Sequence, residues 1–113
     1  MIVMKHTSDF PLQKNPHNVD VRKIYETEHA TAVEITLKPG ESLKKHKTPV
    51  DVFFYVLEGT SVVEIGDERE TATKDMIIES PANIPHRWIN DTGERFRVLV
   101  VKVPTPVTET KIL

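Results

Sequence analysis

The sequence contains no cysteine, which excludes disulfide bonds, thiolate metal sites and cysteine nucleophiles. It also has no long apolar run: the two longest, residues 52–57 and 98–101, fall far short of the roughly 20 residues that a membrane-spanning helix needs. No charge of one sign dominates, since 15 Lys and Arg stand against 17 Asp and Glu for a net charge of −2. A nucleic-acid partner, which would require a clustered basic surface, is therefore not expected.

The start of the chain does not have the pattern of a signal peptide, because residues 1–4 are followed at once by a lysine and a histidine. We therefore expect a cytoplasmic protein with no membrane partner. The 113 residues fit one compact domain and are too few for two ordinary ones. Prolines, asparagines and few spaced apolar residues predict that residues 1–18 form an N-terminal arm, with the domain itself at residues 19–113.

Short segments rich in β-branched and aromatic residues occupy most of the remaining chain. Turn residues separate them, and Gly66-Asp67 has the composition of a two-residue hairpin turn. No stretch longer than about ten residues keeps a helical apolar stripe without Pro or Gly. The pattern predicts an all-β fold, an antiparallel sandwich or barrel. The predicted strands are residues 19–25, 31–37, 52–57, 61–65, 76–78, 87–89 and 96–103.

The predicted strand at residues 52–57 is apolar on both faces. If its even-numbered residues face the interior, then Phe53, Tyr55 and Leu57 face outward. Three large apolar side chains in a row are poorly accommodated in water. We therefore expect a second subunit to cover them, together with strand 19–25, in a homodimer.

Two segments of the chain keep particular residues at fixed spacing. They are residues 40–59, with Gly40, His46 and Gly59, and residues 74–90, with Pro81, His86 and Asn90. In this order they resemble the paired motifs of the cupin superfamily, Gly-x5-His-x-His-x3–4-Glu-x6-Gly and Gly-x5-Pro-x-Gly-x2-His-x3-Asn. The resemblance covers about residues 38–101. It implies an antiparallel jelly-roll β-barrel with an internal pocket, usually as a dimer.

Two glycines of the second motif are replaced in this chain. Lys74 stands in the opening glycine position and Asn83 in the second one. Asn tolerates a left-handed backbone better than other residues with a side chain. We therefore predict a positive φ at Asn83.

The resemblance also implies a metal site, since in the family two His and a Glu of the first motif and one His of the second surround a divalent metal. Those positions are His46, Thr48, Val52 and His86 here. Val has no ligand atom, and a neutral Thr hydroxyl binds transition metals poorly. Two alternatives follow: His46 and His86 hold a divalent transition metal (Zn, Ni, Fe, Mn or Cu) weakly, or they are hydrogen-bonded interior histidines without a metal.

Asp51 is one position away from the missing Glu. If the strand has begun there, Asp51 points to the other face, whereas a turn at Thr48-Pro49 could delay the strand and let it swing inward. As a third alternative it is a carboxylate that stabilises the turn.

The remaining candidates are pocket residues and surface residues. Thr48, Val52, Phe54 and Trp88 are predicted to bind the ligand, although core packing also explains Trp88. The histidines outside the motifs, namely His6, His17 and His29, are interpreted as surface residues, and Lys44, Lys45 and Lys47 as a solvated rim.

The expected function is binding of a small molecule inside the barrel at a degenerate metal site, without a defined activity. The alternative is an isomerase, lyase or dioxygenase that uses His46 and His86, either with a weakly held metal or directly as acid and base. Oxygen chemistry is disfavoured because the site lacks the carboxylate of the two-His-one-carboxylate arrangement. A third alternative is a scaffold whose outer apolar row serves only dimerisation.

Overall fold

The computed structural model describes residues 1–108 and 110–113. In this part of the chain a short 3-10 turn at Thr7–Asp9 precedes ten strands. These are β1 (Asp20–Glu26), β2 (Thr31–Leu37), β3 (His46–Lys47), β4 (Asp51–Glu58), β5 (Ser61–Ile65), β6 (Glu68–Ala72), β7 (Ile77–Ser80), β8 (His86–Ile89), β9 (Phe96–Val103) and β10 (Lys111–Ile112).

The strands form two five-stranded antiparallel sheets around one apolar core. Their orders are β1-β2-β9-β4-β7 and β10-β3-β8-β5-β6. The expected all-β jelly-roll architecture is therefore confirmed. Within the described residues, no helix is both long and apolar enough to cross a membrane.

Most predicted strands are present, and β2, β5 and β9 have the predicted bounds. The hairpin turn at Gly66-Asp67 is also confirmed, since it joins the paired residues Ile65 and Glu68. Three strands were not predicted. β6 is a polar edge strand with four of its five residues exposed, so it shows no apolar alternation. β3 and β10 have only two residues each, too few for any pattern.

Alternation along β4 determines which residues face the core. Its residues 52, 54 and 56 are at most 4% exposed, so the even-numbered residues face the interior. Phe53, Tyr55 and Leu57 are half-buried on the outer face, where Phe53 lies opposite Val101 and Tyr55 opposite Leu99 on β9. The apolar outer surface thus spans two strands. Its burial by a second subunit stays a prediction.

Left-handed backbone occurs at several turns. Asn83 has a φ of 64°, which confirms the prediction from the motif. The opening position of the second motif is Asp75 and not Lys74, since five residues separate Asp75 from Pro81 and Asp75 has a φ of 71°. Gly59 has a φ of 80°, and a Cβ there would overlap the carbonyl oxygen of Arg95.

The N-terminal arm, residues 1–18, turns sharply before β1. The Asn15 side-chain oxygen accepts hydrogen bonds from the backbone N–H groups of His17, at 3.1 Å, and Val19, at 3.4 Å. The Asn15 side-chain nitrogen donates to the carbonyl of Val19 at 2.8 Å. This turn places His17 beside the sheet that contains β3. The domain boundary at residue 18 stays a prediction.

Candidate functional site

A cavity of about 530 Å³ lies inside the barrel. Such a volume is typical of small-molecule sites. Side chains from the N-terminal arm and from the C-terminal residues complete its lining. The apolar part of the lining includes Val33, Ile35, Val52, Phe54 and Val100, and the polar part includes His17, His46, Thr48, His86 and Lys102.

His46 and His86 lie side by side in this cavity. They are paired across β3 and β8, and their ring centroids are 4.6 Å apart with nearly perpendicular planes. Both residues are buried. The two histidines to which the resemblance assigns metal positions are therefore neighbours in the cavity.

A third histidine, His17, contacts this pair. Its ring centroid lies 4.9 Å from that of His46, and it lines the cavity. The interpretation of His17 as a surface residue is wrong, because the turn at Asn15 brings the arm against β3. His6 and His29 are exposed, as expected. No sequence spacing links His17 to His46, since their contact depends on the path of the arm.

The peptide groups of Lys44 give His17 and His46 opposite tautomers. The Lys44 N–H donates to Nδ1 of His17 at 2.8 Å, so the proton of this neutral ring is on Nε2. The Lys44 carbonyl can only accept, and it lies 2.7 Å from Nδ1 of His46. His46 therefore has its proton on Nδ1 and a lone pair on Nε2. Two adjacent rings thus leave one donor and one acceptor for other partners.

Burial keeps all three rings neutral. It lowers the pKa of His86 from 6.5 to about 3 and that of His17 to about 4, and in both cases the neighbouring His46 adds to the effect. Burial also lowers the pKa of His46, against the hydrogen bond to the carbonyl of Lys44, which favours the charged ring. At neutral pH the cavity therefore contains imidazoles and not imidazolium ions.

The structure brings three of the four predicted ligand-binding residues to the cavity. Thr48, Val52 and Phe54 line it. Trp88 is fully buried and is not part of the lining. Its indole packs between Phe54 and Phe96, with ring centroids at 5.4 Å and 4.9 Å, so it supports the wall from behind.

Asp51 does not reach the cavity. It is the first residue of β4 and is exposed, and its Oδ1 accepts a hydrogen bond from the N–H of Ala82 at 2.9 Å. The alternative in which Asp51 swings inward is therefore wrong. Its carboxylate instead stabilises the turn after β7.

The donor set does not fit a firmly held metal. Thr48 has its hydroxyl 3.3 Å from that of Thr110, Val52 has no donor, and His17 carries its proton on the nitrogen that is not already bonded. Within residues 1–108 and 110–113, no group of three or more His, Asp or Glu is placed to hold an ion. Two neutral imidazoles without an anionic ligand are a weak set for transition metals. Weak metal binding at His46 and His86 stays a prediction.

Residues 33–102 match the family model of the cupin domain. The protein belongs to the cupin family. No curated protein sequence matches the chain.

Solved structures share this fold over nearly the whole chain. Protein TT1209 from Thermus thermophilus is 28% identical with a TM-score of 0.77, covering 91% of this cupin and 98% of that chain. The polyketide cyclase RemF from Streptomyces resistomycificus is 21% identical with a TM-score of 0.84, covering 100% and 86%. A predicted oxalate decarboxylase from Thermotoga maritima is 16% identical with a TM-score of 0.81, covering 91% and 100%. The last two show a common fold alone.

Ser80 and Lys102 are among the polar residues of this cupin's site that the sequence did not predict. Ser80 has its hydroxyl 2.7 Å from Nδ1 of His86, and both side chains are buried. Lys102 lines the cavity. Strand alternation could have indicated Lys102, because it shares the inward parity of Val98 and Val100 on β9. No local pattern distinguishes Ser80 from a turn residue before Pro.

Proposed function

We propose that this cupin binds a small organic molecule in its cavity. One observation carries the proposal: three neutral imidazoles lie together in a 530 Å³ cavity that also has an apolar surface, formed by residues such as Val33, Ile35 and Phe54. Apolar side chains supply most of the binding free energy for small ligands, and a few convergent polar groups orient them. This cavity has both parts.

A purely structural interior is a poorer explanation of the same residues. A stable scaffold is favoured by a close-packed apolar core, whereas a cavity forfeits contacts and buried polar groups cost free energy unless they are hydrogen-bonded. Several titratable groups with strongly shifted pKa values in one cavity are typical of functional sites. His17 and His86 are such groups, with pKa values lowered to about 4 and about 3, and the pKa of the adjacent His46 is lowered as well.

The test compares two neighbouring positions on β2. Val33→Phe enlarges a side chain that lines the cavity, whereas Ala32→Phe, its matched control, enlarges one on the other face of the strand. A library of small acids, amides, alcohols and ketones is screened by saturation-transfer NMR. We expect ligands that bind the wild-type protein and Ala32→Phe but not Val33→Phe. Ligands that are insensitive to Val33→Phe, or the absence of any, would contradict the proposal.

A second candidate, an isomerase or lyase that transfers protons, is favoured by the tautomers that Lys44 sets. His46 has a lone pair on Nε2 that can accept a proton, and His17 has an Nε2–H that can donate to a developing negative charge. Such a pair can remove a proton beside a carbonyl group and stabilise the enolate that forms. No metal takes part in this scheme.

Long-range 1H–15N NMR tests the second candidate directly. At pH 7 the spectra should place the imidazole protons on Nε2 of His17 and on Nδ1 of His46. Ketones that bind the cavity should then exchange their α-protons in D2O faster with the wild-type protein than with His46→Gln. Reversed tautomers, or equal exchange with both proteins, would leave ligand binding as the function.

A further inference from the structure

Lys102 is a charged side chain inside the barrel. It follows Val98 and Val100 on the inward face of β9, and both valines are buried. Across the sheet its Cα pairs with that of Val52 on β4. Val52 stands where the cupin motif has its metal-binding Glu. An ammonium group therefore extends from a residue next to the position that lacks the carboxylate.

The charges around this cavity do not balance. The lining residues that the structure describes include two lysines, Lys23 and Lys102, and one carboxylate, Glu26. Lys23 is paired with Glu26 at 3.1 Å. None of the ion pairs between described residues involves Lys102. Among the described lining residues, one positive charge is therefore left over, beside three neutral histidines.

Burial makes that charge expensive. It lowers the pKa of Lys102, and the ammonium of Lys23 adds to the effect. Lys102 in turn contributes to lowering the pKa of both His46 and His86, so its charge acts on these two rings. A charge withdrawn from water is tolerated best when an opposite charge and hydrogen bonds compensate it.

The other groups in the cavity restrict the anion that could provide this compensation. A single excess cation matches one negative charge, and Val33, Ile35 and Phe54 provide an apolar surface for an organic body. The Nε2–H of His17 adds a neutral donor. The lining contains no arginine, whose planar guanidinium is the usual partner of a phosphate dianion.

We propose that the ligand of this cupin is a small organic monocarboxylate and that the ammonium of Lys102 is its counter-charge. This inference rests on the proposed small-molecule function. The ammonium group of Lys102 then attracts the anionic ligand, as a bound metal ion would otherwise do. It also explains why the metal ligands need not be retained, since a lysine in the same cavity repels a divalent cation.

The experiment uses matched pairs of acids and amides. Propionate, benzoate, 3-phenylpropionate and 1-naphthoate, each with its primary amide, are titrated into the wild-type protein by calorimetry. We expect at least one acid to bind about tenfold or more tightly than its amide. The same titrations on Lys102→Met should remove that preference and leave the binding of the amide unchanged.

Three controls keep the interpretation unambiguous. Lys102→Arg keeps the charge and should retain more affinity for the acid than Lys102→Met does. Lys74→Met removes an exposed lysine and should have no effect. Lys102→Met should also raise the thermal midpoint, because it removes an uncompensated buried charge, and this verifies that the variant folds.

The outcomes separate the two proposals. If acids and amides bind equally, or if Lys102→Met leaves the binding of the acid intact, the carboxylate proposal is wrong and the small-molecule function stands. If amides bind and acids do not, the carboxylate proposal is again wrong and the small-molecule function stands. If neither series binds, the carboxylate proposal is wrong, and the library screen on the wild-type protein and Val33→Phe decides the small-molecule function separately.

Discussion

Buried neutral histidines make the stability of this protein depend on pH, and His86 gives the clearest test. Its ring is 3% exposed, and burial lowers its pKa from 6.5 to about 3. In the unfolded chain a histidine has a pKa near 6.5 and takes up a proton as the pH falls below that value. Between pH 6.5 and about 3 the unfolded state therefore binds a proton that the native state does not, and the free energy of unfolding decreases.

The magnitude follows from the two pKa values. At pH 5, protonation stabilises the unfolded form of His86 by about 2 kcal/mol and the native form by almost nothing. His17 acts in the same direction but is only half-buried, so its contribution is about 1 kcal/mol after allowance for solvent screening. His86→Gln should remove the contribution of His86 to this pH dependence. The loss of stability from pH 7 to pH 5 should then be about 2 kcal/mol smaller than in the wild-type protein.

The assay is urea unfolding followed by the fluorescence of Trp88, the single tryptophan, which is fully buried. A difference of about 2 kcal/mol moves the urea midpoint by about 1 M at this chain length. His29→Gln is the matched control, because its ring is 85% exposed. His86→Gln will also lose the contact with Ser80, but this loss lowers the free energy of unfolding equally at pH 7 and at pH 5. An equal loss of stability in His86→Gln and the wild-type protein would refute the claim that burial keeps His86 neutral.

Three further predictions concern the backbone, the metal positions and assembly. Gly59→Ala should destabilise the protein by about 3 kcal/mol in urea unfolding, because it combines a positive φ with overlap against a facing carbonyl, whereas Gly93→Ala, whose Cβ would meet nothing, should have little effect. Thr48→His with Val52→Glu should restore four metal ligands and bind Co2+ with a visible absorption spectrum that neither single variant shows. Light scattering should find a dimer at micromolar concentration, and Phe53→Lys should convert it to a monomer. A monomeric wild-type protein would contradict the last prediction, and a colourless double variant the second.

The sequence by itself predicted seven of the ten strands that the structure describes and, through the spacing of the two motifs, the convergence of His46 with His86. Strand alternation is a property of the backbone, so it is readable wherever one face of a strand is buried. In β4, which is apolar on both faces, alternation separated the even-numbered from the odd-numbered residues, and the structure shows that residues 52, 54 and 56 face the core. It gave no sign of β3 or β6, because two residues have no period and an exposed edge strand has no apolar face.

Only the tertiary structure decided the chemistry of the cavity. His17 reaches His46 because the Asn15 turn folds the arm over β3, and a contact between segments that far apart leaves no spacing to recognise. The tautomers depend on the peptide of Lys44, which has no side-chain signature. The role of the charge of Lys102 is visible only in the structure, where Lys102 pairs with Val52 at the position that has a Glu in the cupin motif. Sequence patterns report the local geometry of the backbone, whereas burial, protonation and charge balance depend on which distant groups the fold brings together.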